Sequence, residues 1–532
     1  MDSKFSKFLR IAAWGVTIVL LVVLIIRVGK RKNVVNLSGV DSNWAKLMLI
    51  LNCVDKDYVD AIDYDKVTED ILPDIMSQLD PHSVYLPPQE LKESEESLQG
   101  GFGGIGIQFN VPNDTAIVTN VIVGGPSEKA GLMTGDRIVK VDTVTIAGVK
   151  MPQDSMMLYM RGKEGSKVEI TVKREGAAKP VSFNIVRGKI PLNSIDVSFM
   201  INDTTGYMKL SKFSKTSHYE FLTAMSLLRD KGIKKLIFDL RDNPGGYLDQ
   251  ALRLSNEFLK KGELVVYMEG RNRPRQDFTA DGHGGCQDLE LAVLINEGSA
   301  SSSEIFAGAM QDNDRGTIIG LRSFGKGLVQ DPVFFSDGSG IRLTVARFYT
   351  PTGRCIQKPY SDDYYADIYE RYVHGEMMSA DSIKVNDSLR FTTPKGKTVY
   401  GGGGIVPDIF VPIDTVGVTD FMVNCNRQSL LIKYANELAD KNRKALRNIH
   451  TMNDLNVFLD KLDLGTGFLA YAKVKEVVPK DDEWKISGDI MVTQLRALIG
   501  RYTPMDNEGF YPIYLTLDNV TQKALENRAT VQ

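Results

Sequence analysis

Cysteine and histidine are scarce in this chain of 532 residues, and their scarcity argues against several kinds of site. The four cysteines, at positions 53, 286, 355 and 425, lie far apart and form no CxxC pair, which disfavours a zinc cluster or a thioredoxin-like motif. The five histidines include no HExxH motif. A cysteine- or histidine-based zinc site and a redox-active cysteine pair are therefore disfavoured. Because a large domain with a real core does not need disulfide bonds, we expect the cysteines to be free thiols, with one or two disulfides as the alternative.

An excess of charge of one sign is also lacking. The 64 lysines and arginines nearly balance the 67 aspartates and glutamates, which leaves a net charge of −3. Nucleic-acid-binding proteins usually present a basic face or stripe, so no nucleic-acid partner is predicted. The composition, 43% hydrophobic and 25% charged, is typical of a globular protein. The length suggests about three or four domains.

Long apolar runs are missing except for one near the N terminus. Residues 11–26 are uncharged and apolar, with basic residues on both sides. As a helix the run would span roughly 24 Å, and the flanking Arg10 and Arg27 can reach the interfaces of a bilayer. No A-x-A cleavage site follows it. We predict an uncleaved signal anchor over residues 1–33 that inserts into a membrane, with a cleaved signal peptide as the alternative.

The expected pattern of helices and strands divides the rest of the chain into four regions. Residues 34–95 show helical periodicity, residues 96–187 consist of short strands and turns, and residues 188–415 alternate strands with helices. Such alternation predicts a largely parallel sheet covered on both sides. Residues 416–532 are predicted to be a mostly helical accessory domain without chemistry. The expected fold class is multidomain α/β.

A cluster of serines opens a predicted helix directly after a buried strand. The segment NEGSASSSEIFAGAM covers residues 296–310. The N terminus of a helix presents free backbone N–H groups and a partial positive charge, which can stabilise the oxyanion of a tetrahedral intermediate. Serine is also a favoured N-cap residue. This segment alone therefore does not separate a nucleophile from a helix cap.

A lysine between two glycines follows in LRSFGKGLVQ, residues 321–330. Burial in this apolar context would lower the pKa of Lys326, as a lysine that acts as a base requires. A Ser-Lys pair is a known variant of nucleophile activation. Residues 320–326 also fit the GxxxxGK core of a P-loop. However, Gly327 stands where Ser or Thr should bind magnesium, which disfavours a nucleotide site.

A glycine pair follows another buried strand in DLRDNPGGYLD, residues 239–249. The turn would expose backbone N–H groups at the carboxyl end of the sheet, where ligands bind in open α/β folds. Gly245 and Gly246 could donate to an oxyanion. An ordinary turn ahead of a helix is the alternative and, for this motif alone, the stronger interpretation.

These segments together resemble the carboxyl-terminal processing proteases, also called tail-specific proteases or peptidase family S41. The resemblance spans about residues 42–413 and includes LDPHSVYL, YTPTGRCIQKP and GIVPDI. The stretches GGFGGIGIQF and GGPSEKAGLMTGDRIVKVD are similar to a PDZ domain. Each motif is short, but the set in this order is highly specific. The resemblance implies a PDZ domain over residues 96–187 and a serine protease core over residues 188–415.

The resemblance also implies roles for single residues. Ser301 corresponds to the family nucleophile, and Lys326, 25 residues further on, corresponds to the general base. Gln330 would hold the lysine amine in place. The oxyanion donors would be the backbone N–H of Ser302 and that of one glycine of the pair at 245 and 246.

The serine cluster contains alternatives to Ser301 as the nucleophile. Many relatives have alanine where this chain has Ser302, but only its backbone N–H is needed. The neighbouring hydroxyls of Ser299, Ser302 and Ser303 are the alternatives to Ser301.

PDZ domains bind an extended peptide as an added strand and hold its terminal carboxylate in a nest of backbone N–H groups. The stretch Gly104, Ile105, Gly106 and Ile107 fits such a loop: the glycines free the N–H groups, and the isoleucines line an apolar pocket. The implied substrates are proteins or peptides with apolar C termini.

The sequence therefore predicts a serine endopeptidase that acts near the C termini of proteins and needs no metal and no cofactor. We expect a single-pass anchor in a bacterial inner membrane, with the catalytic body on the periplasmic side. The alternative is a membrane-tethered PDZ scaffold with an inactive protease core, against which the intact Ser301, Lys326 and Gln330 argue. An oligomer is compatible with the sequence.

Overall fold

The computed structural model describes residues 42–111, 114–122, 124–360 and 363–527. The predicted anchor at residues 11–26 lies outside these ranges. Within them, every helix is too short or too polar to cross a bilayer. The described part of the chain divides into two compact units, with the boundary between residues 74 and 75.

The first unit contains helix α1 (Ser42–Asp57) and most of helix α2 (Tyr64–Ser77). The Tyr64 hydroxyl donates to a carboxylate oxygen of Asp55 at 2.7 Å and so ties the start of α2 to α1. Both helices agree with the helical periodicity of this part of the sequence.

The second unit contains the end of α2, followed by β1 (Val84–Leu86), α3 (Pro88–Leu98) and a PDZ-like domain. Its elements are β2 (Gly101–Gly104), β3 (Ile107–Asn110), β4 (Ala116–Val121), α4 (Pro126–Ala130), β5 (Arg137–Val141), β6 (Val144–Thr145), α5 (Gln153–Met160), β7 (Lys167–Lys173), β8 (Val181–Val186) and β9 (Gly188–Pro191). One sheet has the order β3-β4-β5-β7-β8, with β6 paired to β5, and β2 pairs separately with β9. Alternate residues of β7 are buried, because successive side chains of a strand point to opposite faces.

The protease core follows in the chain. Its elements are β10 (Ile195–Met200), β11 (Thr205–Leu210), α6 (Ser217–Asp230), β12 (Lys235–Asp239), α7 (Leu248–Asn256), β13 (Leu264–Gly270), β14 (Arg273–Thr279), β15 (Glu290–Ile295), α8 (Ser302–Asp312), β16 (Thr317–Gly320), β17 (Leu328–Phe334), β18 (Gly340–Tyr349), α9 (Asp367–Val373), β19 (Arg390–Thr392), β20 (Thr398–Tyr400) and β21 (Ile409–Phe410). Single 3-10 turns lie at Ala380–Ser382 and Asp387–Leu389.

The C-terminal region is helical, as predicted. Its helices are α10 (Asp420–Arg427), α11 (Leu430–Lys441), α12 (Arg443–Leu446), α13 (Met452–Leu459), α14 (Leu464–Val474), α15 (Glu483–Gly500), α16 (Asn507–Tyr514) and α17 (Asn519–Glu526), with a 3-10 turn at Leu515–Leu517. Cys425, Leu455, Phe468 and Leu495 belong to an apolar core of its own. All four cysteines of the chain are free.

The main sheet of the protease core has the order β10-β11-β12-β15-β16-β21, and only the β10–β11 pair is antiparallel. Leu236 and Phe238 of β12 pack on the side of α6, α7 and α8. Ile237, which points the other way, packs with Leu515 and Ala524 of the C-terminal region. The predicted parallel sheet with two covered faces is confirmed, and α17 with the preceding turn supplies part of one cover.

A second sheet was not predicted. It is antiparallel and has the order β1-β18-β13-β14, with β17 along the other edge of β18. All but one residue of β14 is exposed, so this strand carries no hydrophobic alternation in the sequence. The sheet matters for function because the segment between β16 and β17 joins it to the main sheet and carries Lys326.

Candidate active site

The candidate site lies at the carboxyl ends of β12 and β15, which are parallel neighbours with Asp239 opposite Leu294. After β12 the chain turns through the glycine pair, and after β15 it turns through the serine cluster into α8. Carboxyl ends of parallel strands meet at one edge of a sheet, which brings these two turns together.

Ser301 occupies the N-cap position of α8 in a rare backbone conformation, with φ 54° and ψ −112°. A positive φ is unfavourable for a residue with a side chain and persists only where the surrounding structure enforces it. The Ser301 N–H donates to Glu304 Oε2 at 2.9 Å. Ser301 also forms a capping box with Glu304, in which the Ser301 side chain accepts a hydrogen bond from the Glu304 N–H. The proton of its half-buried hydroxyl has no acceptor among the residues that the structure describes. That proton is therefore free to pass to a base when the oxygen attacks a substrate.

The hydroxyls of the other three serines of the cluster already donate hydrogen bonds within the protein. Those of Ser299, Ser302 and Ser303 donate to backbone carbonyls of the neighbouring turn, at 2.8 to 2.9 Å. All three residues are at most 1% exposed. They fasten the start of α8 to the turn after β12 and are poorly placed to attack a substrate.

Gly245 brings the glycine turn directly against Ser301. A Cβ at Gly245 would lie 2.8 Å from the Ser301 Cβ and 2.9 Å from the Ser302 N, so no side chain fits there. The Gly245 N–H donates to Asn243 Oδ1 at 2.9 Å. Within the described part of the chain, the N–H groups of Gly246 and Ser302 have no acceptor. Both N–H groups can therefore donate hydrogen bonds to an oxyanion.

Glu304 links the serine cluster to the lysine loop. Its fully buried carboxylate accepts hydrogen bonds from the Ser323 hydroxyl at 2.6 Å and from the backbone N–H groups of Gly325, Lys326 and Ser301 at 2.7, 2.8 and 2.9 Å. Burial raises the pKa of this carboxyl, although the four hydrogen bonds act in the opposite direction. One side chain thus fixes the backbones of both candidate catalytic residues.

The Lys326 amine is mostly buried and donates to Gln330 Oε1 at 2.9 Å. Gln330 Nε2 in turn donates to the His82 carbonyl at 2.6 Å, which fixes the orientation of the amide. Burial lowers the pKa of Lys326, and the nearby positive charge of Arg342 lowers it further. The structure brings Lys326 and Gln330 together, but among the described residues the amine makes no hydrogen bond to the Ser301 hydroxyl.

The segment before β1 supports Gln330. Asp80 accepts hydrogen bonds from the backbone N–H groups of His82 and Ser83, both at 2.8 Å, and from the Ser83 hydroxyl at 2.6 Å. Burial and the charge of Lys326 lower the pKa of His82 to about 4, so its ring is neutral at pH 7. Its Nε2 lies 2.9 Å from the Tyr364 hydroxyl. Asp80, His82 and Ser83 lie in the quoted LDPHSVYL motif, but the sequence did not show that they support Gln330.

The PDZ-like domain corrects one detail of the predicted peptide site. Ile105 is 3% exposed and packs in the domain core, so it does not line an open pocket. Ile107 is partly buried. Gly106 has φ 77°, and the N–H groups of Ile105 and Gly106 have no acceptor in the described part of the chain. Two N–H groups remain available to hold a carboxylate.

The fold and the site define a class: a serine peptidase core with a PDZ domain attached. Family models agree. Peptidase family S41 matches residues 204–365, the PDZ domain matches residues 103–185, and a family of unknown function, DUF8443, matches residues 421–503.

Curated relatives extend these matches over most of the chain. A probable CtpA-like serine protease of Staphylococcus epidermidis is 31% identical over 418 residues, which cover 76% of this chain and 78% of the relative. A carboxy-terminal-processing protease of Bartonella bacilliformis is 36% identical over 304 residues, 56% of this chain and 69% of the relative. The chain belongs to peptidase family S41 and is a carboxy-terminal-processing serine protease with a PDZ domain.

Among solved structures, the photosystem II D1 C-terminal processing protease is 26% identical to this chain. The superposition covers 70% of this chain and 88% of that protein, with a TM-score of 0.36.

Proposed function

We propose that Ser301 is the nucleophile of this protease, that Lys326 is its general base and that Gln330 positions the lysine amine. One observation carries the proposal: within the described part of the chain, Ser301 is the serine of its cluster whose hydroxyl proton has no acceptor, and Glu304 binds its backbone together with that of Lys326. The lowered pKa of Lys326 favours the neutral amine that a base requires.

The reaction begins when Ser301 Oγ attacks the carbonyl carbon of the scissile bond and its proton passes to Lys326 Nζ. The N–H groups of Ser302 and Gly246 hold the resulting oxyanion. The ammonium of Lys326 then protonates the leaving amine, and an acyl-enzyme remains. Water attacks the ester, Lys326 accepts the proton of that water, and collapse of the second intermediate returns the proton to Ser301.

The PDZ domain is proposed to select substrates with an apolar C terminus. The free N–H groups of Ile105 and Gly106 support binding of a terminal carboxylate, and the partly buried Ile107 supports an apolar last side chain. In the sheet order, β3 is an edge strand, so an extended peptide can add to it. Substrate tails would then be held while the chain upstream reaches Ser301.

A short fluorescent peptide with an apolar last residue and a free carboxylate is expected to bind the Ser301→Ala protein. Amidation of its C terminus is expected to weaken binding by roughly 10- to 100-fold, because charge-assisted hydrogen bonds are lost. Fluorescence anisotropy measures both affinities.

A matched pair of glycine variants tests the site on the protein side. Gly106→Ala would strain a backbone at φ 77° and place a Cβ 3.1 Å from Ile190 Cδ1, so weaker peptide binding is expected. Gly176→Ala carries similar strain at φ 82° in open space and should leave affinity unchanged. Equal affinity for the acid and amide peptides, or equal losses in the two variants, would contradict the assignment.

Residues 11–26 are proposed to anchor the protein in the inner membrane with the catalytic body in the periplasm. The uncharged apolar run between basic residues supports the anchor. Basic residues are nearly balanced on its two sides, so the periplasmic orientation is proposed from the anchor together with the family and not from charge. Alkaline phosphatase fused after residue 40 is expected to be active, because that enzyme folds only outside the cytoplasm. An inactive fusion that becomes active in the cytoplasm of an oxidising strain would refute the topology.

A further inference from the structure

Arg241 stands between the main sheet and the glycine turn, and two carboxylates hold its guanidinium. Its Nε and Nη2 donate to Asp239 at 3.0 and 2.7 Å, and its backbone N–H donates to the same carboxylate at 2.9 Å. Its Nη1 and Nη2 donate to the two carboxylate oxygens of Asp518, both at 2.8 Å. A bidentate pair of this kind restricts both the position and the tilt of the guanidinium.

Asp518 belongs to the C-terminal region, far from the protease core in sequence. It is the N-cap of α17, and its carboxylate also accepts hydrogen bonds from the Thr521 N–H at 3.2 Å and from the Thr521 hydroxyl. Leu515 and Ala524, on either side of it, are buried with Ile237 against the main sheet. Asp518 is therefore held by its own helix and by the sheet.

The turn that begins at Arg241 leads to the candidate oxyanion donors. Lys209 Nζ donates to the Arg241 carbonyl at 3.0 Å, and Asp242 has a positive φ of 62°. Four residues after Arg241, Gly245 lies in contact with Ser301 and Ser302. A shift of the guanidinium would move this tightly packed turn, and small displacements of catalytic groups cost large factors in rate.

We propose that the start of α17 supports the catalytic site, with Asp518 as a positioning residue that acts through Arg241 on the turn at residues 241–246. The proposal rests on the function proposed for Ser301 and the Gly246 N–H. It gives the C-terminal region, which holds no reacting group, a role in the reaction itself. The expected sign is a loss in kcat with little change in KM, because Asp518 does not touch the peptide.

Asp518→Asn tests the proposal in the full-length protein. The amide keeps the shape of the side chain but places an N–H donor against the guanidinium. We expect kcat for a short chromogenic peptide to fall by about tenfold or more, with KM within about threefold of the original. The rate at which a serine-directed phosphonate labels Ser301 should fall in parallel.

Asp460→Asn is the matched control. Asp460 also forms an ion pair with an arginine of the C-terminal region, Arg496, but its side chain is 67% exposed. It should leave kcat unchanged. Circular dichroism identifies a temperature at which every variant is folded, and the activities are compared at that temperature. Should Asp518→Asn not fold, Thr521→Val removes one hydrogen bond from Asp518 while its charge stays, and a smaller loss in kcat is expected.

A kcat within twofold of the original in folded Asp518→Asn, or in Thr521→Val if only that variant folds, overturns the proposal. Equal losses in Asp518→Asn and Asp460→Asn overturn it as well. Ser301→Ala, measured in parallel, separates the two proposals. Full activity in that variant refutes the nucleophile, whereas an inactive Ser301→Ala beside a fully active Asp518→Asn refutes only the positioning role.

Discussion

Replacement of Ser301 by alanine is expected to lower the rate of peptide hydrolysis on the order of 10⁴-fold or more, because no other group can form the acyl-enzyme. The neighbouring hydroxyls cannot substitute, since Ser299, Ser302 and Ser303 are buried and donate to backbone carbonyls. Cleavage of an unfolded protein with an apolar C-terminal tail measures the effect. Mass spectrometry of the phosphonate-labelled protein should place the label on Ser301.

Ser302→Ala provides the control within the same cluster. It removes a hydroxyl that donates to the Gly246 carbonyl but keeps the backbone N–H that the oxyanion requires. Activity within about tenfold of the original is expected, since one neutral hydrogen bond contributes about 1 kcal/mol. Comparable activity in the two variants, or a label on another serine, would overturn the assignment of Ser301. Absence of any label would favour a scaffold with an inactive core.

The features that were predictable from the sequence are local ones. The strands at residues 167–173 and 181–186 follow from alternation of apolar and polar residues, and the helix after Ser301 follows from its composition and its start. The parallel sheet follows from the alternation of strands with helices, which leaves few topologies. The positions of Ser301 and Lys326 came from short motifs in a specific order.

The features that were missed depend on contacts between distant segments. Glu304 is visible in the sequence only as the third residue after a helix cap, the S-x-x-E pattern of a capping box. Its hydrogen bonds to Gly325 and Lys326 exist because β16 returns the chain to the same edge of the sheet. Gln330 is likewise fixed by the carbonyl of His82, which lies 248 residues away in the chain.

The antiparallel sheet and the role of α17 were missed for a related reason. Strand β14 is polar and exposed, and β1 has three residues, so neither shows a pattern of its own. Helix α17 looks like an ordinary surface helix in the sequence, whereas Leu515 and Ala524 are buried against the main sheet. Pattern analysis identifies which residues are apolar but does not say which distant surface they cover.

The buried Lys326 amine is expected to be needed for activity and to lower the stability of the fold. One variant, Lys326→Met, tests both effects. Lys326→Met is expected to lower kcat/KM by roughly 10²- to 10⁴-fold, the range for loss of a general base. The same variant should be more stable at neutral pH, because an apolar side chain of similar length does not oppose burial. Kinetics and urea unfolding measure the two effects. Lys92→Met, at a lysine that is 68% exposed, should change neither.

The pH dependence of both quantities follows from the lowered pKa of Lys326. Below the pKa in the folded protein the amine is charged, so kcat/KM should rise with pH and level off above a midpoint lower than 10.5, the ordinary lysine value. Between the folded and unfolded pKa values the unfolded chain binds more protons, so the free energy of unfolding rises with pH. The extra stability of Lys326→Met should be full below the folded pKa and shrink as pH increases through this window. A stability difference independent of pH, or a rate profile without a rising limb, would mean that Lys326 is not the buried base.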